Sequence, residues 1–143
     1  MRAFVLGLFV FLFSLSLSSS AQARIQQMTD IINGIRQANG LGQLYWNDSL
    51  MTAAFVHARD MADQGYCNHG GLDDRVRYYG WQGQGYGEIV SCGADSAEAA
   101  IDGWLNSPFH RSLIFNGSFN HIGLSHYFGA SGHRWAVIFG AWY

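Results

Sequence analysis

The hydrophobic period changes along this chain, and that change limits the folds open to it. Over residues 25–38, Ile25, Met28, Ile31, Ile32, Ile35 and Ala38 recur at steps of three and four, the spacing of one buried helix face. Gly40 and Gly42 close that segment. Leu44-Tyr45-Trp46 forms a short apolar lead-in, and Asn47-Asp48-Ser49 supplies N-cap chemistry for a second helix over residues 49–64. Its small residues Ala53, Ala54, Ala58 and Ala62 allow close packing, and Gly65 stops it. Near the C-terminus the period drops to two. Ile122, Leu124, His126 and Phe128 alternate on one run, and Trp135, Val137, Phe139 and Ala141 on the next, with Gly129-Ala130-Ser131-Gly132 between them. That pattern predicts a β-hairpin.

The middle of the chain reads differently. From Gly65 to Gly93 there are eight glycines, interleaved with Tyr66, Tyr78, Tyr79, Trp81 and Tyr86. Long loops in a small domain tend to serve function. One helical turn is expected at Asp73–Tyr79 and a short strand at Gly87–Ser91. Asp95-Ser96-Ala97-Glu98 opens a third helix with cap chemistry, and Pro108 is expected to end it. Phe109–Phe115 suits one more short helix, closed by Asn116-Gly117. Helices, loops, a helix and a hairpin together predict an α+β domain, with helices packed on an antiparallel sheet.

The first residues carry a different signal. Met1-Arg2 precedes an apolar run from Ala3 to Leu17, followed by Ser18-Ser19-Ser20-Ala21-Gln22-Ala23. A positive start, a short apolar core and a small-x-small end make a secretory signal peptide, expected over residues 1–23 with cleavage after Ala23. The remaining residues 24–143 form one domain, and the protein is expected to be secreted, to a periplasm or beyond the cell. All eight basic residues are Arg; without Arg2, seven face ten acids, for a net charge of −3. With no basic stripe, nucleic acid is not an expected partner. No run after the leader has transmembrane length. In an exported protein the two cysteines, Cys67 and Cys92, read as a disulfide, with two separate buried thiols as the alternative. A bridge would close a loop of about 25 residues and add about 3 kcal/mol by the loop-entropy model.

Three side chains stand out chemically: His69, Glu88 and His110. Two imidazoles and a carboxylate are the smallest set able to hold a divalent metal and also supply a base. A His pair joined through Glu88 with no metal is the alternative. His57, on the apolar stripe of the second helix, is read as a partly buried histidine with a hydrogen-bond partner, Asp60 being a candidate. Arg111 is expected in a structural salt link with an acid such as Asp74. Tyr86 is read as core, and His121, His126 and His133 carry no metal role. The aromatics at Tyr78-Tyr79-Gly80-Trp81 suit loop packing better than a sugar or lipid groove.

Ordered along the chain are Asn33-x-x-Arg36, Leu44-x-Trp46-x-x-x-Leu50, Ala54-x-x-His57-Ala58-x-Asp60-Met61, His69, Tyr86-Gly87-Glu88-Ile89, Trp104-x-Asn106-Ser107-Pro108-x-His110-Arg111, Ile122-Gly123-Leu124, and Trp135 ahead of Phe139-Gly140. This set resembles the CAP superfamily of cysteine-rich secretory proteins, venom antigens and plant pathogenesis-related proteins, in its short bacterial secreted branch. The resemblance implies an α-β-α sandwich, a small antiparallel sheet flanked by helices. It also implies a central cleft in which His69 and His110 match the family's two histidines and Glu88 its first glutamate; some members bind a divalent metal there, Zn²⁺ being the candidate. The family's second glutamate has no counterpart, since Asn106-Ser107-Pro108 fills that region. The expected function is therefore a secreted binding module whose cleft takes a metal, or a small-molecule, lipid or peptide ligand. A metal-assisted hydrolase of a peptide or cell-wall component, with Glu88 as base, and a structural domain of the envelope are the alternatives.

Overall fold

One strand organises the molecule. In the computed structural model, which describes residues 18–143, the C-terminal strand buries both of its faces. Trp135, Val137 and Phe139 pack with one set of helices, and Ala136 and Ile138 with another. The expected leader core, residues 3–17, lies outside the described residues. In chain order the elements are α1 (Ser19–Ala38), β1 (Tyr45–Trp46), α2 (Asp48–Gln64), α3 (Leu72–Tyr78), β2 (Gly85–Cys92), α4 (Ala97–Leu105), α5 (Pro108–Ile114), β3 (His121–Gly129) and β4 (Gly132–Ala141). The sheet order is β1-β3-β4-β2. β3 and β4 form the expected hairpin, and β2 pairs antiparallel with the other side of β4.

The layers follow from the two periods. On one face, Ile25, Met28 and Ile32 of α1, Ala100, Ile101 and Trp104 of α4, and Ile114 of α5 cover Ile89, Ile122, Leu124 and Val137. On the other, Leu50, Ala54, Ala58 and Met61 of α2, with Val76 of α3, cover Val90, Ala136 and Ile138. The result is an α-β-α sandwich. α2 lies very close to β3: a Cβ on Gly123 would stand 2.1 Å from the backbone nitrogen of Met51, so no other residue fits there. The small residues of α2 match this close approach. Gly65 ends α2 at φ 77°, a left-handed conformation that glycine adopts without steric cost.

Boundaries differ from expectation where tertiary contacts decide. α1 begins at Ser19, six residues before its expected start at Ile25, with the Ser18 hydroxyl accepting from the Ala21 amide. Tyr45-Trp46 is more than a lead-in: it pairs parallel with His121-Ile122 as a short edge strand. Pro108 does not end α4, which stops at Leu105; it opens α5, where a missing N–H costs nothing. Two motif residues prove structural. Asn33 accepts from the Leu44 amide and donates to the Leu44 carbonyl. Arg36, fully buried, donates to the carbonyls of Gly42, Ile114, Asn116 and Phe119. Those bonds compensate its lost hydration and pin the segments after α1 and α5. No helix among the described residues is long and apolar enough to cross a membrane.

Candidate functional site

β2 is an edge strand, and the candidate site straddles it. Glu88 projects from β2 toward the α2 layer, on the face it shares with Val90. Its side chain is 0% exposed. A carboxylate so placed needs partners, and three polar side chains surround it. Arg75, from α3, grips it with a fork: Nη1 and Nη2 each lie 3.1 Å from Oε2, and Nη2 lies 3.4 Å from Oε1. His69 Nδ1 donates to Oε1 at 3.0 Å. His57, from the buried stripe of α2, places Nε2 3.6 Å from the same oxygen. Arg75 is therefore the counter-charge to Glu88, and it went unremarked in the sequence.

His57 meets its expectation of a buried, hydrogen-bonded histidine, but with a different partner. Its Nε2 donates to the Asn68 carbonyl at 2.7 Å rather than to Asp60. That bond holds the turn carrying His69. Burial lowers the His57 pKa; Glu88 opposes the shift and Arg75 adds to it. The Cys67–Cys92 disulfide is formed, and it ties the same turn to the end of β2. A hydrogen bond from α2 and a covalent bond to β2 thus set the position of His69 beside Glu88. The His69 side chain nevertheless remains 41% exposed. With Nδ1 engaged by the carboxylate, Nε2 is the nitrogen left for a ligand.

His110 sits in the first turn of α5, in the layer on the other face of the sheet. Burial lowers its pKa, and His69 adds to the shift. Both causes keep His110 neutral, the form that binds metals. A depression of about 380 Å³ opens beside His69, lined by Gly71, Leu72, Asp73 and Asp74; His110 does not line it. Asp73 accepts from the Tyr86 hydroxyl at 2.7 Å, so Tyr86, packed against the core of the α2 layer as expected, also buttresses this rim. Arg111 makes no ion pair among the described residues; its guanidinium lies 4.9 Å over the Phe115 ring. The expected salt link with Asp74 is absent because α5 directs Arg111 along its own helix.

The arrangement fits one model of metal binding and not another. Among the described residues no three His, Cys, Asp or Glu side chains are grouped closely enough to hold a metal. Glu88 is spent on Arg75 and His69, so it is not a free ligand. Two imidazoles with water or substrate in the remaining positions are what the residues present would offer, with Glu88 orienting one of them.

Comparison with known proteins decides the family. Residues 29–139 match the family model for CAP, the cysteine-rich secretory protein family. The chain belongs to the CAP family. Two curated relatives come from Bacillus subtilis. The uncharacterized protein YkwD is 30% identical over 126 residues, 85% of this chain and 48% of its own length. The uncharacterized membrane protein YlbC is 34% identical over 104 residues, 69% of this chain and 30% of its own. This chain therefore spans less than half of either relative. Among solved structures, an extracellular protein of Bacillus anthracis containing an SCP domain superposes with a TM-score of 0.77 at 28% identity, covering 90% of this chain and 45% of that one. The CAP fold thus agrees with the motif order read from the sequence.

Proposed function

We propose that this CAP domain is an exported binding module. Its His69–Glu88–His110 cleft would take a divalent metal such as Zn²⁺, or a small ligand, without turnover. The observation that carries this reading is the saturation of Glu88. A general base needs a lone pair facing the water it activates. Here one oxygen faces the Arg75 fork and the other faces His69 and His57. Such a carboxylate, engaged on both oxygens, positions an imidazole. This favours binding over the hydrolase alternative with Glu88 as base. When bound, the metal would supply Lewis acidity toward a ligand oxygen or nitrogen. His69 and His110 would hold it, and Glu88 would keep His69 in the tautomer that presents Nε2. With two protein ligands, affinity should be modest. Export is supported by the leader-like N-terminus and by the extracellular description of the Bacillus anthracis protein.

The test is calorimetric titration of Zn²⁺ into the metal-free protein, beside His69→Ala and His110→Ala. Each variant should lose most of the binding. Equal binding by all three proteins would remove the cleft from consideration and leave a structural role for the cluster. Peptidase or cell-wall hydrolase activity that survived in wild type and vanished in Glu88→Gln would instead restore the catalytic alternative.

A further inference from the structure

The Cys67–Cys92 bridge stands in the open. Both cysteines are exposed, although cysteine is among the most buried residue types in proteins. A disulfide open to solvent is open to attack by a thiolate. The two cysteines are 25 residues apart, and between them in sequence lie His69, Arg75 and Glu88, most of the polar cluster of the cleft.

The two ends of the bridge are held unequally. Cys92 closes β2 in register with Arg134 of β4, and the next amide, that of Gly93, donates to the His133 carbonyl at 2.8 Å. The sheet keeps that end in place without the bridge. Cys67 lies after α2, outside any helix or strand. Two hydrogen bonds flank it: His57 Nε2 to the Asn68 carbonyl at 2.7 Å, and Arg134 Nε to the Tyr66 carbonyl at 3.4 Å. Breaking the S–S bond therefore leaves Cys92 where it is and loosens Cys67, two residues from His69.

Arg134 supplies the chemistry. It is 8% exposed and makes no ion pair among the described residues. Its hydrogen bonds go to the carbonyls of Tyr66, Ser131 and His133. A buried guanidinium held only by carbonyl dipoles lacks a counter-charge. Cys92 and Arg134 are paired directly across β2 and β4, two residues on from Val90 and Ala136, so both side chains leave the sheet on the face that α2 covers. A negative charge on the Cys92 sulfur would be the counter-charge that Arg134 lacks, and a neighbouring cation favours a thiolate. In disulfide exchange the better-stabilised thiolate leaves faster. Attack on Cys67, with Cys92 departing, is the favoured direction.

We propose that Cys67–Cys92 is a thiol–disulfide exchange site for a dithiol, and that its reduction releases the turn carrying His69 from Glu88. A thiolate of the dithiol attacks the Cys67 sulfur; the S–S bond breaks and Cys92 leaves as a thiolate beside Arg134. The second sulfur of the dithiol then displaces Cys67 from the mixed disulfide. Two electrons pass to the bridge, the dithiol ends as a disulfide, and its two protons go to the freed sulfurs or to solvent. This inference rests on the His69–Glu88 hydrogen bond and not on what the cleft binds, so no metal enters its test.

Metal-free protein is treated with dithiothreitol without denaturant, beside the same protein unfolded in urea, and opening of the bridge is followed by alkylation and mass spectrometry. The native bridge should open at least as fast as the unfolded one; native opening slower by about tenfold or more overturns the proposal. Arg134→Met should slow native opening about threefold and Arg134→Lys should restore it. A Met variant as fast as the wild type overturns the assignment of Arg134. The native and unfolded wild-type rates need no variant, so the test survives a failure of Arg134→Met to fold. NMR of the His69 ring before and after reduction should show its resonances move while the amides of β3 and β4 stay in place. Unmoved His69 resonances, or loss of the folded spectrum as a whole, overturn the proposal, the bridge then serving the fold alone.

Discussion

Two pairs of histidines stand in this domain, and they are built oppositely. His69 and His110 stand on different layers, and His69 hangs from a buried carboxylate that Arg75 neutralises. His126 and His133 face one another across the β3–β4 hairpin, Nε2 to Nδ1 at 2.9 Å. Among the described residues that second pair has no carboxylate partner. The His126 ring instead packs against Trp135, centroids 4.3 Å apart. The consequence is electrostatic. Burial first, then the neighbouring His133 and Arg24, push the His126 pKa down to about 4. In this pair each imidazole uses a nitrogen on the other, whereas His69 uses its carboxylate-bound nitrogen to free the opposite one. A histidine anchored by Glu88 keeps one nitrogen unengaged and the other on a carboxylate; histidines anchored by each other have an imidazole in the carboxylate's place.

The contrast breaks most visibly at Glu88. Glu88→Ala leaves the buried Arg75 charge without a partner and should cost about 3–5 kcal/mol, read as a shift in the urea midpoint. Glu88→Gln keeps a hydrogen-bond acceptor for Arg75 and should cost less. Next comes the disulfide. Cys67→Ser with Cys92→Ser should cost about 3 kcal/mol by loop entropy and should also weaken metal binding, because it releases the turn that carries His69. A double variant that lost stability but bound Zn²⁺ as wild type does would show that His57 and Asn68 position His69 unaided.

The hairpin pair is tested by pH. The folded His126 pKa lies below its unfolded value, so the unfolded chain takes up the proton first as pH falls. Stability contributed by neutral His126 is thus complete above the ordinary histidine range and is lost progressively toward pH 4, its folded pKa being about 4. Urea midpoints at neutral and mildly acidic pH should show this loss, and His126→Phe should flatten it. The smallest effect is expected at Arg111. With no ion pair, only its stacking on Phe115 is removed by Arg111→Ala, which should change stability by about 0.5 kcal/mol and leave Zn²⁺ binding unchanged.

How much of this was legible beforehand follows from the physics of each element. The layers were readable because α2 and the hairpin carry pure periods of 3.6 and two, and each period exposes one face to the core. β1 was not, since two residues have no period and its pairing with His121-Ile122 is purely tertiary. The start of α1 was hidden because residues 19–23 were assigned to a leader. His69, Glu88 and His110 were singled out through motif order. Arg75 was missed because helix α3 offers Arg75 and Arg77 two positions apart, and local spacing does not say which of them reaches β2. His57 did carry a signal: it lies on the same stripe as Ala54, Ala58 and Met61, so it had to point inward. Its partner belonged to a loop whose path only the disulfide and the sheet determine.

The most direct test of the account is a crystal of the protein soaked in Zn²⁺, with anomalous scattering measured at the zinc edge. The account predicts an anomalous peak bonded to His69 Nε2 and His110, with Glu88 still on His69 Nδ1 and the Arg75 fork intact. A peak at the His126–His133 pair, a peak directly on Glu88 with Arg75 displaced, or no peak at the β2 edge would contradict it.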